Sequence, residues 1–111
     1  MSTQEEEIRL HVEQAKQLVA RSESLTKLFK NKDFKEVILE GYLKEEAVRL
    51  VLLKADPATL TDEMQAVIDK GINAIGSFNQ YLKMVQALGE QAARSLKDYE
   101  EYQAELLAEG E

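Results

Sequence analysis

Apolar side chains at Ile8, Val12, Ala15, Leu18, Val19, Leu25, Leu28 and Phe29 recur in steps of three and four, with Ser22 on the same stripe and His11 at its border. That spacing marks one face of an α-helix. Ser2 with Glu5 and Thr3 with Glu6 have capping-box spacing, and the acidic first turn suits the positive end of a helix dipole. The helix is therefore predicted to begin after Ser2 or Thr3 and to run to about Lys30.

Asn31 is a stop residue, and Asp33 followed three positions later by Glu36 predicts a turn and a second capped start. From Phe34 to Leu53 the chain is too apolar for a one-faced helix, which predicts burial against more than one neighbour. Gly41 is expected to divide this segment, spanning about 33–55, into two short helices. Pro57 after Asp56 marks a turn, because proline cannot continue the preceding hydrogen-bond ladder and pushes the residue before it out of the α region. Thr61 then reads as an N-cap, with Asp62 and Glu63 in the first turn. No strong breaker follows until Gly110, so one helix of roughly 45 residues, about 70 Å long, is predicted over 61–109.

Within that helix Ile75, Phe78, Leu82, Val85, Gly89, Ala92, Leu96, Tyr99, Gln103 and Leu106 keep a three-four alternation for about four heptads. Such a seam needs a cover. The first helix carries small residues at Ala15 and Ser22 and is predicted to lie antiparallel against Gly89 and Ala92, covering only part of the longer helix. Leu82, Val85, Ala92, Leu96, Tyr99 and Leu106 are then expected to associate with a second copy. The competing expectation is a monomer with an exposed tail. The fold class is all-α: a helical hairpin or small bundle in one domain, 1–111, with a long C-terminal coiled-coil-like helix.

Composition supports this picture. Gly 5 and Pro 1 leave too few punctuation points for an all-β chain of 111 residues, and 6% aromatic residues with no Trp point to a core of aliphatic stripes. No apolar run approaches the roughly 18 residues of a membrane span, and the acidic start is unlike a signal peptide. The chain is thus expected to be soluble and unprocessed, and cysteine-free in keeping with a reducing compartment.

Charge is uneven. Residues 1–55 carry ten acids and ten bases, while residues 56–111 carry eleven acids against Lys70, Lys83, Arg94 and Lys97, so the net −7 belongs to the second half. Asp98, Glu100, Glu101, Glu105, Glu109 and Glu111 follow the last base, which disfavours direct nucleic-acid binding there. Lys27, Lys30, Lys32 and Lys35 gather where cations favour a helix C-terminus, and a phosphate-contacting patch is the alternative.

Chemistry-bearing patterns are missing from the sequence. One histidine and no cysteine make no zinc or nucleophile constellation, and no phosphate loop, dinucleotide fingerprint or calcium loop occurs. No catalytic residue, metal ligand or cofactor site is nominated, and the chain is expected not to be an enzyme. Tyr42, Tyr81, Tyr99 and Tyr102 read either as half-buried packing residues or as contact anchors.

The block Asp33–Leu50, with its Phe34, Gly41-Tyr42 and Glu45-Glu46-Ala47-Val48-Arg49-Leu50, continues through Ala55-Asp56-Pro57 and Ile72–Tyr81. Over about residues 25–85 it resembles a family of small helical proteins of tailed bacteriophages whose biochemical activity is not established. The resemblance implies a phage origin, a location in the host cytoplasm or with the virion, and another phage protein as partner. It makes Phe34, Tyr42, Glu46 and Arg49 the partner-site candidates, against the reading that they fix a helical corner. Two functions are expected from different classes: a virion structural or assembly-accessory protein, probed by its presence in particles, or an acidic DNA-mimic-like inhibitor of a host enzyme, probed by competition with duplex DNA.

Overall fold

The structure, a computed structural model, describes residues 3–110. Helix α1 spans Thr3–Lys30, α2 Lys32–Phe34, a π-helix Lys35–Glu46, α3 Ala47–Lys54, a 3₁₀ turn Pro57–Thr59, and α4 Asp62–Glu109. No strand occurs among the described residues, so the all-α class stands. The expected bounds of the first and last helices also agree with the structure; Ser2, one of the two proposed caps, lies outside the described residues.

Contacts divide the chain into two compact units: a terminal unit of the residues up to Leu25 with those from Met84 onward, and a central unit, Thr26–Lys83.

In the terminal unit, α1 and α4 pack antiparallel. Ser22 faces Gly89, His11 and Ala15 share a groove with Ala92 and Tyr99, and Ile8 and Val12 share the next one with Tyr102 and Leu106. Numbers fall on α1 as they rise on α4. The helices approach closely at Gly89, where an added Cβ would collide with the Ser22 side chain and lie 3.5 Å from the Leu18 carbonyl oxygen. Ala15, Leu25, Val85 and Ala92 are buried around this approach. Cover then thins toward the end of α4, where Leu106 is 48% and Leu107 73% exposed.

In the central unit, Leu50, Ile68 and Ile75 form the core, joined by Tyr42, Leu43, Ala47, Leu53 and Ile72. Asn31, in extended conformation, caps α2 by accepting a 2.9 Å hydrogen bond from the Phe34 N–H. The restart is therefore capped by Asn31 and not by Asp33. Gly41 does not divide the segment; the helix passes through it with a widened turn. The half-buried positions explain the widening. Phe34, Ile38, Tyr42 and Ala47 recur in steps of four, four and five, which a π-turn keeps on one line and an α-turn would rotate away. At Gly41 a Cβ would sit 3.1 Å from the Glu36 carbonyl oxygen five residues back.

The corner between α3 and α4 is tied by side chains. Asp56 accepts from the Ala58 N–H at 2.9 Å, Thr61 accepts from the Met64 N–H at 3.3 Å, and Gln65 Nε2 donates to the Lys54 and Thr59 carbonyls at 3.0 Å each. Lys54 also pairs with Asp69. Pro57 thus begins a short 3₁₀ turn, and Thr61 caps α4 as its sequence position implied.

Two glycines of α4 are expected to respond oppositely to alanine. Gly76 has nothing within 4 Å of its added Cβ, so Gly76→Ala should stabilise by about 0.5–1 kcal/mol through the unfolded chain's lost entropy. Gly89→Ala gains the same term but forces the helices apart, at an overpacking cost of about 1–3 kcal/mol, and should be destabilising. Thermal midpoints of the two variants against the parent check the opposed signs.

Candidate protein-interaction surface

The four partner-site candidates do not form one cluster. Phe34 packs on Phe29 across the α1–α2 corner, ring centroids 6.1 Å apart and tilted by 40°. Tyr42 projects from the π-helix edge-on to Phe78 of α4, at 5.9 Å and 74°. Both rings are half-buried and make the corner contacts that an apolar ring with favourable edge geometry provides. Glu46 and Arg49 do come together, as an exposed two-bond pair of 2.5 and 2.9 Å at the junction of the π-helix with α3. Hydrogen bonding and charge from the Arg49 guanidinium hold the Glu46 carboxyl below its ordinary value, and Glu46 raises Arg49. A lowered carboxylate value means that this pair supports the fold above the unfolded carboxylate range and loses that support as pH falls through the folded value. Solvent screening keeps the contribution small for so exposed a pair.

The six residues expected to associate with a second copy are split by the structure. Leu82, Val85 and Ala92 are buried within the single chain and have no surface to offer. Leu96 and Tyr99 are half-buried, and of the six Leu106 alone is exposed. In the terminal unit α1 covers the seam from inside the chain, closely around Gly89 and Ala92 and more openly toward Tyr102 and Leu106.

The central unit exposes apolar surface of its own. In the central unit Val48, Val51 and Leu52 of α3 are 58%, 56% and 67% exposed, and Leu60, Met64 and Val67 are exposed at and beyond the start of α4. The middle segment is therefore not buried on several sides as its composition suggested: α4 covers one face of α3, and the other stands in solvent. Leu53 lines with Thr59, Glu63, Met64, Val67 and Ile68 an open hollow of about 390 Å³. Val37 is exposed as well. Sequence reasoning missed this surface because it treated every apolar position of 34–53 as core.

Among the described residues no cluster of His, Asp or Glu has the arrangement of a metal site, and no helix is long and apolar enough to cross a membrane. His11 is an exposed residue at the rim of the groove shared by Ala15 and Ala92. Charge divides by unit more sharply than by sequence half: residues 26–83 hold nine acids and nine bases, and segments 1–25 with 84–111 hold twelve acids against five bases, the whole net −7.

No protein-family model matches the chain, and comparison with curated proteins and with solved structures finds none similar to it.

Tyr42→Ala is expected to lower stability by about 2 kcal/mol, below the full range for a buried aromatic because the ring is half-buried. Glu46→Gln should leave the thermal midpoint near neutral pH almost unchanged and remove only a slight loss of stability at acid pH. Thermal unfolding of both variants at neutral and acid pH checks this pair of outcomes.

Proposed function

We propose that the chain is a non-enzymatic helical interaction module that serves the assembly of a phage particle, in the host cytoplasm or bound to the virion, by packing against another phage protein. The observation that carries this reading is the exposed apolar face of α3 and of the start of α4, displayed on a unit with a well-formed core of its own. A helix apolar around most of its circumference gains stability only when both sides are covered. Exposed apolar patches mark protein contact sites. The phage setting comes from the sequence resemblance.

Sedimentation of lysates from producing cells tests the proposal. The chain should travel with particles or assembly intermediates, and its confinement to the slow soluble fractions throughout production would contradict the assembly role.

A second reading, an acidic inhibitor that imitates DNA toward a host nucleic-acid-binding enzyme, draws support from the concentration of the whole net charge in the terminal unit. It requires binding to such an enzyme that weakens steeply with salt and is displaced by duplex DNA. Binding indifferent to both would remove it.

A further inference from the structure

We infer that copies of this chain join head to tail, the acidic end of α4 in one copy docking on the basic corner between α1 and α2 of the next. The inference uses none of the α3 face on which the proposed function rests, so the two stand or fall separately.

Both surfaces carry charge at a helix end that disfavours it. Lys27 and Lys30 close α1, where cations complement the helix dipole, but Lys32 and Lys35 stand in the first turn of the helix that begins at Lys32, at its positive end. Residues 26–36 hold these four lysines against Asp33 and Glu36. All four are exposed, and among the described residues none is in an ion pair, whereas Lys44, Arg49 and Lys54 of the same unit each have one. Helix α4 repeats the anomaly with the sign reversed. Glu105 and Glu109 lie toward its negative end, after Asp98, Glu100 and Glu101, all exposed and with no base after Lys97. Each arrangement weakens its own helix, and no ion pair among the described residues offsets it. A local rule broken without compensation in the fold points to function.

Charge selects the occupant and its orientation together. Two corners facing each other would repel, and so would two acidic ends, whereas a corner set against an acidic end attracts. A two-fold contact through either surface is therefore disfavoured, and the contact is heterologous. Every copy brings one surface of each sign, so each corner finds its counterpart in equal number. Apolar side chains are exposed among both sets of charges: Leu28 and Val37 along the corner sequence, Tyr102, Leu106 and Leu107 along the acidic end. They supply the contact area that the charges orient. Leu106, the one residue of the expected self-association set that the fold leaves exposed, takes part here. Repeated from copy to copy, a heterologous contact closes into a ring or grows as a filament.

Light scattering on the full chain across concentration, at about 0.05 M and about 0.5 M salt, tests the inference. At low salt the mean mass should rise with concentration to at least twice 12.6 kDa, and at high salt it should return toward 12.6 kDa. A corner variant, Lys32→Glu with Lys35→Glu, and an end variant, Glu101→Lys with Glu105→Lys and Glu109→Lys, should each stay near 12.6 kDa at low salt, the contact weakened by at least about tenfold. The exchanges at 32, 35, 105 and 109 place the favoured sign at each helix end, so helical circular dichroism and the thermal midpoint should not fall. Mixing the two variants should restore assembly, because the reversed corner of one meets the reversed end of the other. A parent that stays at 12.6 kDa at low salt and every concentration, variants that assemble alone, or variants that stay apart when mixed would overturn the inference. A monomeric parent whose lysine corner binds duplex DNA would overturn it in favour of a nucleic-acid partner.

Discussion

At Gly89 the backbone of α4 comes so close to α1 that no Cβ fits between them, and the terminal unit is built outward from that approach. Burial of an aliphatic stripe is worth most where atoms are in contact, and small residues let two helices reach that distance. Ser22 against Gly89, with Ala92 about one turn and Ala15 about two turns further on, sets a narrow separation at which Leu18, Val85 and Leu88 gain close neighbours. Large residues at these positions would hold the helices apart and leave the stripe wet. The same helix α4 supplies Ile68 and Ile75 to the core of the central unit, where Gly71 admits Leu50 by the same device.

An aliphatic chain with few aromatic residues covers its stripes one side at a time. In the central unit this leaves α3 with one dry face and one wet face, although its composition is that of a helix covered on both. The separation of charge belongs to the same economy. In the central unit acids and bases balance and Lys44, Arg49 and Lys54 are paired within the chain, and where the net charge collects the open surface is flanked by carboxylates.

Much of this was legible in the sequence because it follows from local rules. The stripe from Ile8 to Phe29, the Pro57 turn, the Thr61 cap and the unbroken run to Gly110 each depend on near neighbours, and the small residues at Ala15, Ser22, Gly89 and Ala92 announced where two helices could meet. Two features were not read. The steps of four and five from Phe34 to Ala47 carry the period of a wider turn, but a search for three-four alternation treats them as noise. The exposure of Val48, Val51 and Leu52 depends on how many elements surround α3, which hydrophobicity alone does not specify. Phe34 and Tyr42 make ring contacts within the chain, while the apolar neighbours between Ala47 and Lys54 hold the open surface.

The central claim is that α1 of the same chain covers the α4 seam by direct contact at Gly89. A double-mutant cycle on thermal or denaturant unfolding measures it: Gly89→Ala, Ser22→Gly, and the two together. If the Cβ at 89 is excluded by the Ser22 side chain, removing that side chain makes room, and the pair should be less destabilised than the two single changes imply, with a coupling of roughly 1–3 kcal/mol. Strict additivity would contradict the account, since it would mean that Ser22 and Gly89 do not meet and that the seam is covered by something other than α1.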